Sequence, residues 1–268
     1  MMRVFWVVLA AMMVVSCQTV RTTSAGVVGV DRPQSMLISP GEMNRAAAQN
    51  YRQLLAAAKE KGVLDRDAFA VARVQRISRR LIAQAPHFRA DAAGWAWEVH
   101  VISSKDLNAW CMPGGKIGFY TGLIDRLHAT DDEIAAVIGH EIAHALREHA
   151  RERASQALAT QLGVAVVSAA AGIGASGQDL ANMVTDLTFH LPNSRLHETE
   201  ADRIGVELVA RAGFNPHGAV TLWEKMARAS NGEPPQWLST HPSNQTRLDD
   251  LRNYAARVMP LYESARPR

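Results

Sequence analysis

Cysteine is nearly absent from this sequence, with two residues in 268. At most one disulfide is available, so the fold is not a stapled framework. Charge of one sign is scarce as well. The formal balance is +3 with no block of lysine or arginine, and nucleic-acid binding has no electrostatic footprint to rest on. A helix that crosses a membrane needs about 20 apolar residues. The run from Val4 to Val15 has 12, and a bland Ala/Gly/Val/Ser stretch at 162–176 has 15. There is no internal repeat and no heptad run. What remains is a chain 47% hydrophobic and 21% charged, a globular composition long enough to bury one large core or two small ones.

The start of the chain reads as a targeting signal. Arg3 supplies a positive first region and Val4 to Val15 the apolar one. Val14-Val15-Ser16-Cys17 follows directly and resembles a bacterial lipobox, in which Cys17 becomes the lipidated N-terminus. An ordinary secretory signal with an incidental cysteine is the alternative. Gln18, not Asp, at the next position implies by the same resemblance sorting to the outer membrane. The expected organisation is a signal peptide at 1–16, lipidated Cys17 with a flexible tether to residue 40, a folded domain at 41–260 and a tail at 261–268. As a free coil the tether would reach roughly 25–30 Å. Acyl chains would supply the membrane attachment that a short apolar run cannot, and Cys111 would have no partner within the chain.

Periodicity predicts helices over 42–61 and 66–84, strands around Trp97 to Val101, Asp106 to Trp110 and Lys116 to Thr121, and further helices over 198–211, 216–229 and 243–258. The clearest helix is predicted over 131–153, where Thr130 and Glu133 form a capping box before an apolar stripe. The fold class expected is α+β, mainly helical, with a small antiparallel sheet beside that helix.

Inside this helix lies His140-Glu141-Ile142-Ala143-His144, an HExxH motif. Four residues are about 400° of helix, so both imidazoles leave one face a turn apart, as two ligands of one zinc ion require. Glu141 is offset by about 100° and can reach a metal-bound water. A catalytic zinc site needs a third protein ligand. A third histidine at position 150 is ruled out because that residue is Ala150. Glu198-Thr199-Glu200-Ala201-Asp202 offers a carboxylate instead. Glu198 and Asp202 share a helix face, so Glu198 can ligate while Asp202 accepts from a ligand imidazole. Taken alone, the acidic cluster is also a plausible charged surface, with Glu200 expected to face solvent.

With these motifs, the chain resembles the HtpX-like, CAAX-prenyl-protease-type zinc metallopeptidases. Asn108-Ala109-Trp110, Pro113-Gly114-Gly115, Thr121-Gly122-Leu123, the HExxH at 140–144, Ser194-Arg195 before Glu198, Ala201 and Asp202, Gly213-Phe214, Pro216, His241-Pro242 and Arg247 all fit in order. The match extends over about residues 40–258 and is similar to the lipoprotein-type envelope branch, without the C-terminal tetratricopeptide array found in part of it. The resemblance implies a zincin-type domain at 41–260 holding one Zn²⁺ on His140, His144 and Glu198, with Glu141 as general base for peptide-bond hydrolysis. It implies a periplasm-facing outer-membrane lipoprotein that degrades unfolded or misassembled envelope proteins. A latent, zinc-stabilised chaperone or assembly factor is the competing expectation.

His241, in a polar loop from Glu233 to Ser243, either donates to the oxyanion or occupies the open zinc position; the resemblance favours the second. Arg247 is a candidate to support developing negative charge. Asn108 and Gly115 are candidate substrate-lining residues near a strand at 116–121, whose edge extended substrate could join. Arg195 is a candidate to order the loop before Glu198. Cys111 reads as a small core residue. His100, His128, His149, His190, His197 and His217 read as structural or exposed. The stretch 162–176 reads as a buried pair of small-residue helices, with membrane contact or a mobile cover over the site as alternatives. The oligomeric state is left open.

Overall fold

Successive side chains of a strand point to opposite faces, and with apolar residues on both faces this builds a sheet with a core on each side. The computed structural model describes residues 18–167, 177–229, 236–242 and 244–266; Cys17, the signal segment and most of 162–176 lie outside them. Strands β3 (Glu98–Ile102), β4 (Ala109–Met112) and β5 (Lys116–Tyr120) form a sheet in the order β3-β5-β4. β5 pairs antiparallel with β4 and parallel with β3. The sheet is therefore mixed, not antiparallel throughout. The turn at Gly114 and Gly115, both with φ above +80°, folds β5 straight back on β4, into the gap that the loop after β3 has left open. Val101, Ala109, Ile117 and Phe119 enter the main core; Ile102, Trp110 and Met112 join a second cluster on the opposite face.

The main core is closed by helices α2 (Ala68–Ile82), α4 (Asp131–Leu146), α7 (Arg195–Arg211) and α8 (Gly218–Ala229). The second cluster gathers α1 (Pro40–Glu60), α5 (His149–Val167) and α6 (Gly177–Phe189). A short α3 (Gly122–Asp125) links β5 to α4. Two later helices, α9 (Gln236–Thr240) and α10 (Gln245–Ala265), complete the set. None of the described helices is long and apolar enough to cross a membrane.

α4 starts where the sequence predicts. Thr130 and Glu133 form the reciprocal capping box, and Asp131 and Asp132 add acidic charge to its first turn. It ends early. The predicted helix over 131–153 is broken at Arg147–Glu148, where Glu148 has φ +51° and its N–H bonds back to the Ala145 carbonyl at 3.0 Å. A left-handed residue at this point is the usual stop for a helix and is usually glycine; with Glu there, the signal is hidden. The break turns α5 so that His149 comes back against His144.

Two glycines set how closely α4 and α7 approach. A Cβ on Gly205 would lie 3.0 Å from the His140 nitrogen, and one on Gly139 would lie 3.1 Å from the Gly205 carbonyl oxygen. Any larger side chain at these positions drives the helices apart.

Residues 18–40 correct a further expectation: they are not a flexible tether. β1 (Gln18–Val20) and β2 (Gln34–Met36) pair as a small antiparallel ribbon, and Val28, Val30 and Gln34 are buried. Arg32 grips Glu152 through Nη1 and Nη2 at 2.6 and 2.8 Å and Glu200 through Nε at 2.8 Å. Polar partners in the body of the domain hold this segment as a strap. The sequence signal was its Thr/Ser/Gly composition, which a solvated linker shares.

Two predictions follow from these contacts. Gly205→Val overpacks the helix crossing at a cost of about 1–3 kcal/mol. It lowers the melting temperature by several degrees and reduces bound zinc per chain; wild-type melting and metal content in that variant would contradict the close-approach argument. The second concerns acid. Burial alone would raise the Glu152 carboxyl above its ordinary value of 4.5, but hydrogen bonds from Arg32, His197 and Gln34 outweigh it and hold it well below. A carboxyl depressed in the folded state stabilises the fold above its unfolded pKa, and that contribution is lost as pH falls toward the folded value. Glu152→Gln therefore melts lower at pH 7 and shows a flatter decline between pH 5 and 3, measured by thermal melts across that range.

Candidate metal centre

Helix geometry brings the first two donors together. His140 and His144 sit a turn apart on α4 with their Nε2 atoms 3.0 Å apart. Glu198, in the first turn of α7, places Oε1 3.2 Å from His144 Nε2 and Oε2 3.5 Å from His140 Nε2. His241 follows α9 directly and brings Nδ1 3.2 Å from His140 Nε2 and 3.0 Å from Glu198 Oε1. These four donors lie within 4.8 Å of one another and all four residues are buried.

The arrangement fits zinc. Tetrahedral bonds of about 2.0–2.1 Å put donor atoms about 3.3 Å apart, and the spacings just given run from 3.0 to 3.5 Å. Glu198 Oε2 is buried without a hydrogen-bond partner, although Arg247 Nη1 is 2.8 Å away. A buried carboxylate oxygen that faces imidazole nitrogens, and whose guanidinium neighbour lies outside hydrogen-bond geometry, keeps a lone pair for a shared cation.

Behind the donors stand the groups that orient them. His140 Nδ1 lies 3.0 Å from Asp202 Oδ1, the partner expected from the Glu198/Asp202 spacing. Burial pushes the His140 imidazole down, but its bonds to Asp202 and Glu198 win and raise it to about 10. His144 is driven well below its usual value, first of all by burial, and burial likewise pushes its neighbour His149 down to about 3, which keeps that ring neutral. Burial would raise the Glu198 carboxyl, but His241, His140 and His144 hold it far below the usual range.

Arg247 is placed differently from its expected role. Its Nε and Nη2 hold Asp202 at 2.7 and 2.8 Å, and Nη1 reaches the Pro242 carbonyl at 2.6 Å. With every guanidinium nitrogen engaged, it braces the carboxylates instead of meeting charge on a substrate. Glu200, expected at the surface, is buried and bonded to Arg147, Arg32 and His149. His149 is buried too and lies against His144.

Sequence reasoning missed Trp237. Its indole is buried and donates to Glu141 Oε1 at 2.8 Å, and it stacks on His241 with ring centroids 4.8 Å apart. His241 Nε2 is 3.4 Å from the same Glu141 oxygen. α9 thus covers Glu141 and the donor set together. It is tied down by Trp237 N to Leu107 O at 3.1 Å and by Asn193 N to Thr240 O at 2.9 Å. A lone Trp within a Pro-rich stretch carries no motif that would announce this.

The remaining candidates fall outside the donor cluster. Asn108 is buried at the start of β4, where its Oδ1 accepts from the Ala109 amide. Gly115 serves the β4–β5 turn with φ +81°, and the Trp97 ring fills the space where its Cβ would be, 2.6 Å away. Arg195 is exposed at the start of α7. Cys111 is a half-buried free thiol on β4; burial, and then the Glu141 charge, push it well above its ordinary pKa, which leaves it unreactive. His100 pairs with Asp65 at 2.6 Å, away from the site.

The model of peptidase family M48 matches residues 70–255, including all four donors. The chain belongs to peptidase family M48. It is 36% identical over 183 residues to the mitochondrial metalloendopeptidase OMA1 of Schizosaccharomyces pombe, covering 68% of this chain and 52% of that protein. It is 32% identical to the metalloprotease LoiP of Escherichia coli, over 57% of this chain and 60% of the relative. It is 30% identical to a putative beta-barrel assembly-enhancing protease of Vibrio cholerae, over 70% of this chain and 40% of the relative. The chain spans about a third to a half of the length of the mitochondrial relatives it matches.

Proposed function

We propose that this protein is a zinc-dependent endopeptidase, latent at rest, that hydrolyses unfolded or misassembled proteins of a bacterial envelope. The observation that carries the reading is the Glu141 carboxylate on the same helix as His140 and His144, beside a donor set completed by Glu198. A purely structural zinc site has no use for that carboxylate. His140, His144 and Glu198 would hold a zinc ion that would supply a Lewis acid for a scissile carbonyl and bring the pKa of a water near 7. Glu141 takes the water proton and delivers it to the leaving amine. Asp202 and Arg247 keep His140 and Glu198 in place during this exchange.

Latency follows from the cover. A catalytic zinc site keeps one position open, and here His241 supplies a fourth protein donor while Trp237 occupies a lone pair of the base. α9 must lift before a peptide enters. The strand beside α4 is β4, an edge of its sheet, whereas β5 is central and already paired on both sides. An extended substrate would therefore align on β4, by backbone hydrogen bonds that read little sequence, with Asn108 at its start. Such recognition suits chains that expose strands, and the name of the Vibrio cholerae relative links it to β-barrel assembly. In this reading lipid on Cys17 holds the protein at the outer membrane, facing the periplasm, and nucleic acid is not a partner.

The closed set of four protein donors also favours a second reading, a zinc-stabilised assembly factor with little proteolysis, because closed sites are typical of structural zinc. Two variants separate them. Glu141→Gln keeps its zinc and loses at least about a hundredfold in casein cleavage; cleavage at the wild-type rate would refute the peptidase assignment. His241→Ala keeps zinc and cleaves casein faster than wild type. A zinc-loaded His241→Ala protein that leaves casein intact but prevents its aggregation supports the assembly factor.

A further inference from the structure

His144 has its own orienting chain, and the direction of every hydrogen bond in it can be worked out from the outer end. Guanidinium groups only donate and ionised carboxylates only accept. Arg32 Nε lies 2.8 Å from Glu200 Oε1, and Arg147 Nε and Nη2 lie 3.1 and 3.0 Å from Glu200 Oε2. The same Oε2 is 2.9 Å from His149 Nε2, so that nitrogen carries a hydrogen and donates. A neutral imidazole has one N–H, which leaves His149 Nδ1 as an acceptor. It faces His144 Nδ1 at 2.8 Å, so His144 Nδ1 donates and its Nε2 keeps a free lone pair. That Nε2 is the atom pointing into the donor cluster.

On this basis we propose that Arg32, Glu200 and His149 act as a positioning relay that locks His144 into its metal-ligating tautomer, and that through Arg32 the N-terminal strap sets the affinity of the metal site. His140 uses the same order of groups in a shorter form: Arg247, then Asp202, then imidazole. On the His144 side the carboxylate is one imidazole further away, and His149 fills the gap. The relay is rigid. His149 is 1% exposed and Arg147 is fully buried, and His149 stacks on His197 with centroids 4.4 Å apart. His197 in turn bonds Glu152 at 3.1 Å, and Glu152 is the second carboxylate held by Arg32. One side chain from the segment that follows Cys17 therefore closes both branches. That side chain is the most exposed part of the relay, at 27% against 6% for Glu200.

The inference rests on reading the four donors as a zinc site, and the readout is metal binding, not proteolysis. The full-length protein in detergent is titrated with zinc against a chromophoric chelator at fixed pH, and the absorption spectrum of its cobalt(II) form is recorded. His149→Leu removes the acceptor at similar volume; zinc binds 10- to 100-fold more weakly and the cobalt bands shift. His149→Asn puts an amide oxygen near the position of Nδ1 and recovers affinity to within about threefold of wild type. Arg32→Ala acts only at the outer end, weakens zinc binding by about five- to tenfold, and keeps the test decisive should His149→Leu fail to fold. Wild-type affinity and spectrum in both His149→Leu and Arg32→Ala would overturn the relay. Equal weakening in His149→Asn and His149→Leu would overturn it as well, since that pattern marks lost packing. If the wild-type protein itself holds no zinc, the metal-site reading fails instead.

Discussion

A carboxylate buried among imidazoles needs compensating positive charge, and Glu198 is in this position. It has no exposure to water, its Oε2 has Arg247 Nη1 2.8 Å away but no hydrogen bond of good geometry, and two helices must come within backbone contact for it to reach His140 and His144. The glycines at 139 and 205 allow that approach. Arg247 braces it from behind, and Asp202, held by the same arginine, fixes the His140 ring. A divalent cation at the centre would exchange the close contacts among these donors for coordinate bonds, so site geometry and fold stability are coupled.

In the proposed function this centre has to serve both storage and use. A metal with four protein donors is well protected and poorly reactive; the same metal with three is reactive. His241 and Trp237 lie on or next to one five-residue helix, α9, whose backbone is anchored at Leu107 and Asn193. A single displacement of α9 would change coordination, free the base and open the ground beside β4 together. The strap offers a second point of influence, because Arg32 joins the segment nearest Cys17 to the carboxylates behind His144.

Much of this was legible in the sequence because local rules govern it. Thr130 and Glu133 announce the start of α4, the 140/144 spacing dictates a shared face, and the 198/202 spacing assigns a ligand and its supporting carboxylate. The failures share a physical cause: each depends on contacts distant in sequence or on a residue in an unusual state. Glu148 ends a helix in a conformation that glycine normally takes, so α4 and α5 looked continuous and His149 looked unpartnered. Glu200 seemed to point to solvent, but Arg32, 168 residues away, covers it. The strap resembled a linker in composition because its few buried apolar residues, Val28, Val30, Met36 and Ile38, are set among Thr, Ser and Gly, and its ion pairs join residues far apart in the chain. β3 and β5 pair in parallel through an insertion that alternation alone does not encode.

The central claim is that four protein donors surround the metal at rest. X-ray absorption at the zinc edge of the wild-type protein tests it most directly, because imidazole rings leave countable multiple-scattering features. Three imidazole nitrogens and one carboxylate oxygen at about 2.0–2.1 Å are expected. Two imidazoles with a water-filled position would contradict it.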